Sequence, residues 1–598
     1  MLSRKTKIVC SFGPAVNNDE MTEKLITAGM NVARFNFSHE SHEAHQLKME
    51  RVKKYSKKLG IPVALLLDTK GPEIRTGLAK NSANAIINKD DTVLITVDGT
   101  ESQSATKNTP AKISLTWQDF PERAKAGIKV LIADGLLELE VIESDGITVT
   151  CIAKNSAEIG SRKNVNIIGL HAGLPIMTDT DKADIAFGVK MDVDFIAASF
   201  VSFASEVIEI REYLNSLGSK AKIIAKIENE EGLDNIKEII SVSDGIMVAR
   251  GDLGVQLPTE RIPLAQKHII NECRKAGTPV IIATQMLDSM IVNPRPTRAE
   301  LTDVANAILD GTDAVMLSGE TAAGAYPIEA VETLNRIACT VESSEEYCQK
   351  MIKNSTAPDL SGDVGKMVAH SAYLTATEVD AQLIIAPTRY GRTAKIISMF
   401  RPKQSIFAPT PDERVQRQLL IHWGVVPLLA ATAHDSEEMV QNAIKIALEN
   451  DAIKLADKAV MCASIPLVSP LMANTVRVII IGTVITKGLT GGFSNSSSTR
   501  SSGRVVHAQT ANEAFMALRK KGGEILVCPK LTDDYIPILR LVGGVVCEGE
   551  NYIDPETMTL VNPDLVWISN AKNAMLACEN GLTVTIDGKE FIVYDSLV

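Results

Sequence analysis

The stretch IIAKIENEEG, residues 223–232, is the part of the sequence around which the rest of the chain can be organised. Its first five residues form an apolar run, which predicts a short buried strand, and polar residues follow at once. Lys226 and Glu228 are two positions apart, so their side chains point to the same side of that strand. Taken alone, the pair fits a solvated strand end as well as it fits a binding site.

A second stretch, GIMVARGD at residues 245–252, favours the binding site. It is another apolar run that ends in a carboxylate, Asp252. Two strand ends that offer Glu228 and Asp252 would suit a hard divalent cation, which prefers oxygen ligands. Lys226 beside them would then face a phosphoryl group.

Composition sets limits on the class of protein. A chain of 598 residues is too long for one domain, so we expect three or four. The net charge of −11 is mild and indicates neither a nucleic-acid nor a membrane partner. The nine cysteines are scattered without a CxxC pair, and no apolar signal region follows the basic N-terminus. We therefore expect reduced thiols in a cytoplasmic protein.

The pattern of apolar runs predicts the fold. The runs are apolar throughout, as in the strands of a parallel sheet that is buried on both faces. Helical stretches such as 204–217 and 262–276 separate them. Eight such strands with intervening helices predict a (β/α)8 TIM barrel formed by residues 1–72 and 172–345. The strands are expected at 7–12, 31–37, 62–67, 194–200, 222–227, 245–248, 279–283 and 314–317.

Polar residues follow the carboxyl ends of these strands, where a TIM barrel carries its chemistry. Any one of them is explained by capping, but the whole set indicates an active site. The residues are Arg34, Asn36, Ser38, Asp68, Thr69, Lys226, Glu228, Asp252, Thr284 and Glu320.

Three further segments complete the predicted organisation. Residues 73–171 contain short β-like runs and predict a β-domain inserted as a lid, with Arg75 and Lys163 near its hinges. A polar stretch at 344–360 indicates a linker, and residues 346–485 then predict a second α/β domain. Residues 486–503, rich in Gly and Ser, predict a flexible linker, and residues 504–598 a small additional β/α domain.

The second α/β domain contains a candidate anion site. The sequence TRYGRT, residues 388–393, lies between a predicted strand and a predicted helix. A turn with hydroxyls and glycine at a helix N-terminus directs backbone N–H groups outward. A plain turn fits the same residues.

Several of these stretches resemble the motifs of the pyruvate kinase family in order and spacing. They are KTKIVCSFGP at 5–14, ARFNFSH at 33–39, LDTKGPEIR at 67–75, AKIENEEG at 225–232, ARGDLG at 249–254, ATQML at 283–287 and MLSGETA at 316–322. The resemblance covers residues 1 to about 485. It implies a barrel, an inserted β-lid and a C-terminal α/β effector domain, as the residue pattern does.

The resemblance implies an activity and roles for its residues. The expected reaction is the glycolytic transfer of phosphate from phosphoenolpyruvate to ADP, which gives pyruvate and ATP. Lys226 would neutralise the transferring phosphoryl group, Arg34 would contact substrate phosphate, and Thr284 would lie near the carbon that is protonated. Gly251 and Asp252 would complete the substrate site.

Cofactors and nucleotide contacts follow from the same resemblance. Glu228 and Asp252 would hold Mg²⁺ or Mn²⁺. Family members with Glu in the GPEIR motif, here Glu73, generally need K⁺. The expected K⁺ ligands are Asn36, Ser38, Asp68 and Thr69, and the expected nucleotide contacts are Asn36, His39, Arg75 and Lys163.

The resemblance also implies regulation and assembly. Thr388, Arg389, Gly391, Arg392 and Thr393 fall where the family binds a phosphorylated activator, although Ser-Gly usually follows the threonine there. The family is usually tetrameric, so a homotetramer is expected. The tail resembles the phosphohistidine domain of phosphoenolpyruvate synthases and dikinases, but its matching region, 546–553, has no histidine, which indicates a structural or assembly role.

Two alternatives remain open on the sequence. One is a phosphoenolpyruvate synthase or dikinase, against which stand the missing histidine and the order of domains. The other is an inactive metabolite sensor, which would usually have lost one of Arg34, Lys226, Glu228, Asp252 or Thr284.

Overall fold

The predicted barrel is present in the computed structural model of the protein, which describes residues 4–595 except 107–108, 171, 356–362, 455, 466–472, 483, 496–498 and 519–522. Eight parallel strands close into one sheet, in which each strand pairs with the next along the chain and the last pairs with the first. They are β1 (Lys7–Ser11), β2 (Val32–Asn36), β3 (Ala64–Asp68), β4 (Phe195–Ala198), β5 (Lys222–Ile227), β6 (Gly245–Ala249), β7 (Val280–Ala283) and β8 (Ala314–Leu317).

The strands of the barrel are buried on both faces, as their continuous apolar sequences predict. Val9, Leu66 and Met247 belong to the core inside the barrel. Leu65 and Val248 point outward into the larger core beneath the helices. The helices of this region are Asp19–Ala28, His42–Leu59, Asp179–Lys190, Ala204–Ser216, Glu230–Asp234, Ile236–Val242, Arg250–Gln256, Ile262–Ala276, Arg298–Asp310, Gly319–Ala322, Pro327–Glu342 and Glu345–Ser355.

The segment between β3 and β4 folds as a β-domain, as predicted. One seven-stranded sheet has the order Ile74–Arg75, Asn164–Ile168, Lys129–Ile132, Leu137–Ser144, Val149–Ala153, Thr92–Thr96, Ala111–Ser114. The strands Ala85–Ile87 and Ala157–Ile159 form a separate pair, and Phe120–Arg123 is a short helix. Its alternating strands bury one face in a core of their own, as a half-exposed sheet should.

The chain divides into two compact units, which are described separately. The larger comprises residues 2–370 and 386–432, and the smaller comprises 371–385 and 433–598. Strands and helices alternate beyond the barrel as predicted. The larger unit includes the parallel pair Ser405–Thr410 and Val425–Leu429 and the helices Arg392–Met399 and Glu413–Gln418.

The smaller unit begins with three strands. Leu383–Ile385 and Lys458–Ala463 pair in parallel, and Thr475–Ile480 pairs antiparallel to Lys458–Ala463. The remaining helices of the chain are Val364–Glu378, Ser436–Glu449, Ala511–Ala517, Pro555–Val561 and Ala574–Ala577. The first of these runs through the point at which the two units divide.

The predicted linker at 344–360 is wrong over its first part, because Glu345–Ser355 is a helix. Tyr347 and Met351 lie on one face of it and belong to the apolar surroundings of the barrel. The rest of that prediction, 356–362, lies outside the described residues, as does His171 at the predicted end of the lid.

The predicted flexible linker at 486–503 is also wrong. An eight-stranded sheet has the order Val484–Lys487, Ile592–Asp595, Thr583–Asp587, Arg500–His507, Glu524–Cys528, Val542–Cys547, Val566–Ser569, Thr490–Phe493. The glycines of the segment serve close packing: a Cβ on Gly492 would lie 2.5 Å from Trp567 Cζ2. Residues 496–498 of the predicted linker are not among those described.

None of the described helices is a candidate membrane span. Across the described parts of the chain, every helix is too short or too polar to cross a bilayer.

Candidate active site

The site is built around Lys226, near the carboxyl end of β5. Its Nζ lies 3.0 Å from Asp68 Oδ1 on β3 and 3.0 Å from Glu228 Oε1 just past β5. It also donates to Ser199 Oγ, just past β4, at 2.7 Å. The barrel brings these residues together because the ends of neighbouring parallel strands lie side by side.

The charge on Lys226 is stabilised where it lies. Burial alone would lower the pKa of the ammonium, but the carboxylates of Asp68 and Glu228 outweigh burial and raise that pKa above its usual value. The residue is 9% exposed, so few water molecules screen these interactions. Lys226 is therefore a fixed positive charge and not a proton acceptor at neutral pH.

Asp68 lies between two cations. Arg34 Nε, on β2, donates to its Oδ2 at 2.7 Å, while Arg34 Nη1 donates to Ser11 Oγ at 2.8 Å. Burial would raise the pKa of Asp68, but Lys226 and Arg34 together hold it below the usual value. Asp68 therefore stays ionised and fixes the position of both cationic side chains.

Glu228 keeps one oxygen without a hydrogen bond. Its Oε2 accepts from Phe200 N at 2.7 Å, whereas Oε1 is buried without a hydrogen-bond partner, although Lys226 Nζ lies near it. Burial raises the pKa of Glu228 to about 7, with Lys226 opposing and Asp252 and Asp68 adding to the rise. A buried carboxylate oxygen that accepts no hydrogen bond is costly in a protein and suits a cation ligand.

Asp252 supplies a second carboxylate beside Glu228. It lies in the first turn of the helix Arg250–Gln256, directly after β6. Burial raises its pKa, Lys226 lowers it, and Asp134 of the β-domain adds to the rise. Among the described residues, no group of three or more His, Cys, Asp or Glu side chains is arranged to hold a metal ion. The pair would thus leave most positions of a bound ion for substrate and water.

Thr284 follows β7 in an unusual backbone conformation. Its φ is +66°, in the left-handed region, which a β-branched residue rarely adopts. Arg250 Nη2 donates to Thr284 O at 2.7 Å, and Gly251 N donates to Thr284 Oγ1 at 2.8 Å. Such strain persists only where the surroundings enforce it, and it is concentrated at functional sites.

The side chains predicted as a monovalent-cation site lie at the ends of two neighbouring strands. Asn36 is in register with Asp68 across β2 and β3. Asn36 Oδ1 accepts from Ser38 N at 3.1 Å, and Thr69 is buried beside Asp68. Four polar residues thus meet at one edge of the barrel mouth.

Three residues predicted to contact nucleotide lie farther out. His39 is exposed, just beyond Ser38. Arg75 and Lys163 flank the base of the β-domain, where Arg75 is in register with Asn164. Glu73 accepts from Arg75 Nε at 2.7 Å. Glu73, Asn164 and Asp252 line the cleft between the β-domain and the barrel.

The loop at 388–393 has the turn that the sequence predicted. Thr388 N donates to Pro409 O at 2.9 Å, and Gly391 has a φ of +79° directly before the helix Arg392–Met399. The Arg389 guanidinium lies 5.8 Å from the centre of the Tyr390 ring. Arg389, Tyr390 and Arg392 are exposed, whereas Thr393 is buried.

Sequence reasoning missed Ser199 and assigned no role to Arg250. Ser199 directly follows β4, so the rule that inspects the carboxyl ends of barrel strands would have found it. Arg250 lies in the quoted stretch 245–252, but its contacts could not be foreseen. It joins Thr284 O to Asp303 Oδ2, at 2.7 and 2.6 Å.

Known proteins share both the sequence and the fold. A family model described as the pyruvate kinase barrel domain matches residues 3–331, and one described as the pyruvate kinase alpha/beta domain matches residues 366–479. Pyruvate kinases of Staphylococcus aureus strains USA300 and COL are each 40% identical over 599 residues, which cover 99% of this chain and 99% of theirs.

A crystal structure of a pyruvate kinase from Cryptosporidium parvum has a TM-score of 0.76 and 41% identity, over 80% of this chain and 96% of that one. The staphylococcal matches span the tail as well, so those relatives have a counterpart of it. The barrel, its inserted β-domain and the extent of these matches lead to one conclusion: the chain belongs to the pyruvate kinase family of phosphotransferases.

Proposed function

We propose that the chain transfers the phosphoryl group of phosphoenolpyruvate to ADP in the cytoplasm, giving pyruvate and ATP for glycolysis. The observation that supports this most directly is the buried Lys226, held by two carboxylates at the carboxyl end of the barrel. Phosphoryl transfer requires alignment and charge stabilisation more than covalent chemistry. A fixed ammonium provides that stabilisation without any rearrangement during the reaction.

Arg34 and Lys226 would act on the same phosphoryl group from two sides. Asp68 accepts from both side chains, at 2.7 and 3.0 Å, and so fixes their separation. In this proposal Lys226 neutralises the group in transfer, and Arg34 binds its oxygens through guanidinium N–H groups that remain available. Asp68 is then a positioning residue.

Glu228 and Asp252 would hold Mg²⁺ or Mn²⁺. The fit rests on Glu228 Oε1, which accepts no hydrogen bond, and on the raised pKa values of both carboxyl groups, which a cation would reverse. When bound, such an ion stabilises negative charge on the phosphoryl group and on the enolate left after transfer. The protein supplies few ligands, and Mg²⁺ in proteins usually has water and phosphate oxygens as its other ligands.

Thr284 and Gly251 would complete the substrate site. Thr284 Oγ1 donates to Ala283 O at 2.7 Å and accepts from Gly251 N, which orients the hydroxyl. A threonine is a weak acid, so we expect it to deliver a proton to the enolate carbon through water. Its enforced φ would keep the hydroxyl in place during the reaction.

Asn36, Ser38, Asp68 and Thr69 would bind K⁺ through oxygen atoms. Asn36, His39, Arg75 and Lys163 would contact ADP. Arg75 and Lys163 belong to the base of the β-domain, so movement of that domain would bring them to the nucleotide.

We further propose allosteric activation by a phosphorylated metabolite at the loop formed by Thr388, Arg389, Gly391, Arg392 and Thr393. The exposed Arg389 and Arg392 and the adjacent helix N-terminus support an anion site. A homotetramer and a structural or assembly role for the tail, similar to a phosphohistidine domain without its histidine, are proposed on the family resemblance alone.

A coupled assay tests the activity. Purified protein with phosphoenolpyruvate, ADP, Mg²⁺ and K⁺ should produce pyruvate, and omission of Mg²⁺ should abolish the rate. A protein that binds phosphorylated metabolites but shows no turnover would support the inactive sensor instead. Formation of phosphoenolpyruvate from pyruvate, ATP and water would support the synthase.

A further inference from the structure

Among the described residues, a cluster of hydrogen-bond donors without partners lies buried near the amino end of the barrel, opposite the proposed active site. They are Arg274 Nε, Tyr347 Oη, Arg401 Nε and Trp423 Nε1. Tyr347, Arg401 and Trp423 are 4%, 6% and 1% exposed. Buried donors nearly always have partners in folded proteins, so a group of them needs an explanation.

The four side chains surround one place in the larger unit. The Arg401 guanidinium carbon lies 5.0 Å from the centre of the Trp423 ring, and the rings of Tyr347 and Trp423 are 6.4 Å apart. Arg401 Nη2 donates to Gly311 O at 2.8 Å. A Cβ built on Gly311 would lie 3.2 Å from Arg274 Nε.

The same region has a surplus of buried positive charge. Its charged side chains are Arg4, Lys5, Lys7, Arg274 and Arg401, with Asp313 and Glu342 as the carboxylates that face them. Both carboxylates are already engaged. Asp313 accepts from Arg401 Nη1 and Nη2 at 2.8 and 2.9 Å, and Glu342 accepts from Lys5 N and Thr6 N at 2.7 and 2.6 Å.

The lowered pKa values of two of these cationic side chains agree with the surplus of buried positive charge. Burial lowers the pKa of Arg274 to about 10, and Arg401 adds to the decrease. Burial likewise lowers the pKa of Lys7 to about 7, and Arg4 adds to the decrease. A buried cation without a counter-ion destabilises a fold, and an anion that enters from solvent would remove that penalty.

We propose that Arg274, Tyr347, Arg401 and Trp423 form a binding site for a small inorganic anion or carboxylate. The anion would accept hydrogen bonds from the unpartnered donors and balance the surplus charge. Arg274 and Lys5 are only partly buried, which provides a route from solvent. The site lies beyond the carboxyl end of the helix Arg392–Met399, whereas the loop 388–393 precedes its amino end, so it is separate from the proposed effector site.

An anion bound at this proposed site would affect how the segment 386–432 packs on the barrel. Arg401 and Trp423 come from that segment, whereas Arg274 and Tyr347 come from helices of residues 2–370. An anion that accepts from both sides would connect them. We therefore expect the anion to stabilise the folded larger unit.

Thermal melting of the full chain tests the site, with bromide, inorganic phosphate and acetate as separate probes at constant ionic strength set by a bulky organic sulfonate. The melting temperature should rise saturably with at least one probe. In Tyr347→Phe and in Trp423→Phe, each of which removes one donor, the half-saturating concentration should increase at least about fivefold. Tyr347→Phe is the milder change and guards against misfolding.

Trp117→Phe is the matched control, because Trp117 also stacks with an arginine, Arg123 at 5.3 Å, but lies in the β-domain. It should leave the half-saturating concentration unchanged. The absence of a saturable rise with all three probes would overturn the proposal. So would an equal response in wild type and both donor variants, which would mean an adventitious ion only.

Discussion

At the scale of single residues, the proposed mechanism depends on a row of alternating charges. Arg34, Asp68, Lys226 and Glu228 follow one another with contacts of 2.7, 3.0 and 3.0 Å. Each charge favours the ionised state of the next, which keeps the row formed before substrate arrives. Removal of one member of a buried pair leaves an uncompensated charge, at a cost of about 3–5 kcal/mol.

The proposed metal ligand Glu228 predicts a dependence of Mg²⁺ affinity on pH. The ion binds the ionised carboxylate, and the pKa of Glu228 is about 7. Affinity for Mg²⁺ should therefore weaken as the pH falls below that value, by up to about tenfold per unit. The half-saturating Mg²⁺ concentration, measured in the coupled assay across pH, checks this.

Glu228→Gln should raise the half-saturating Mg²⁺ concentration by about 100-fold and flatten its dependence on pH. Glu20→Gln removes a carboxylate from an exposed pair with Lys24 and is the control. An unchanged Mg²⁺ requirement in Glu228→Gln would exclude Glu228 as a ligand.

Glu73 and the proposed K⁺ ligands, Asn36, Ser38, Asp68 and Thr69, predict a requirement for K⁺. Activity in a buffer with Na⁺ as the sole monovalent cation should be at least about tenfold below that with K⁺, because Na⁺ is smaller than the K⁺ that the site would fit. Tetramethylammonium, too large for such a site, is the control for ionic strength. Full activity without K⁺ would remove this assignment.

At the scale of elements, the strands determine where each side chain lies, and glycines determine how closely neighbouring strands pack. The strand Thr490–Phe493 lies against Val566–Ser569 because Gly491 and Gly492 have no side chains. Arg500 connects the tail to the residues before it. Its Nη1 donates to Asp457 Oδ1, before the tail, at 2.6 Å, and its Nε donates to Asp587 Oδ2, in the tail, at 2.7 Å. The tail is therefore packed as part of the smaller unit.

Gly492→Val should destabilise the tail sheet. A Cβ at this position would lie 2.5 Å from Trp567 Cζ2, so the strand or the ring must shift, at a cost of about 1–3 kcal/mol. Differential scanning calorimetry should show a lower melting temperature. Gly254→Ala is the control, because a Cβ there meets no atom within 4 Å. Equal melting of Gly492→Val and wild type would show that the segment is loosely packed.

At the scale of the whole molecule, the sequence predicted the barrel more completely than it predicted the tail. The eight strands of the barrel are continuous apolar runs, and each lies within two residues of its expected bounds at both ends. The strands of the β-domain and the tail are short, so Ala85–Ile87 and Val484–Lys487 were not expected. The composition around Gly491 and Gly492 predicts a flexible linker, because the residue that they pack against, Trp567, lies 75 residues beyond Gly492 in the sequence.

The sequence predicts the types and positions of the residues in the candidate site, but it does not predict the contacts between them. Residues at the ends of parallel strands must meet, which brought Lys226, Asp68 and Glu228 together in advance. The place of Asp68 between two cations and the strain at Thr284 depend on tertiary packing. Pattern alone does not contain that information.

The proposed allosteric activation links the loop 388–393 to the barrel. If the loop 388–393 binds a phosphorylated activator, then fructose 1,6-bisphosphate, ribose 5-phosphate or AMP should lower the phosphoenolpyruvate concentration at half-maximal rate, by about 5–150-fold. Arg392→Ala should weaken that response, whereas Arg336→Ala, on an exposed helix of the barrel, should not. A hyperbolic rate that ignores all three metabolites would contradict allosteric activation.

The most direct measurement is the rate of the Lys226→Met variant in the assay with phosphoenolpyruvate, ADP, Mg²⁺ and K⁺. Methionine retains much of the length of lysine but has no charge. We predict a loss of at least about 10³-fold in kcat, since electrostatic stabilisation is the main contribution to phosphoryl transfer. Circular dichroism and melting would confirm that the variant is folded. A folded Lys226→Met protein that retains the wild-type rate would contradict the central role of this residue.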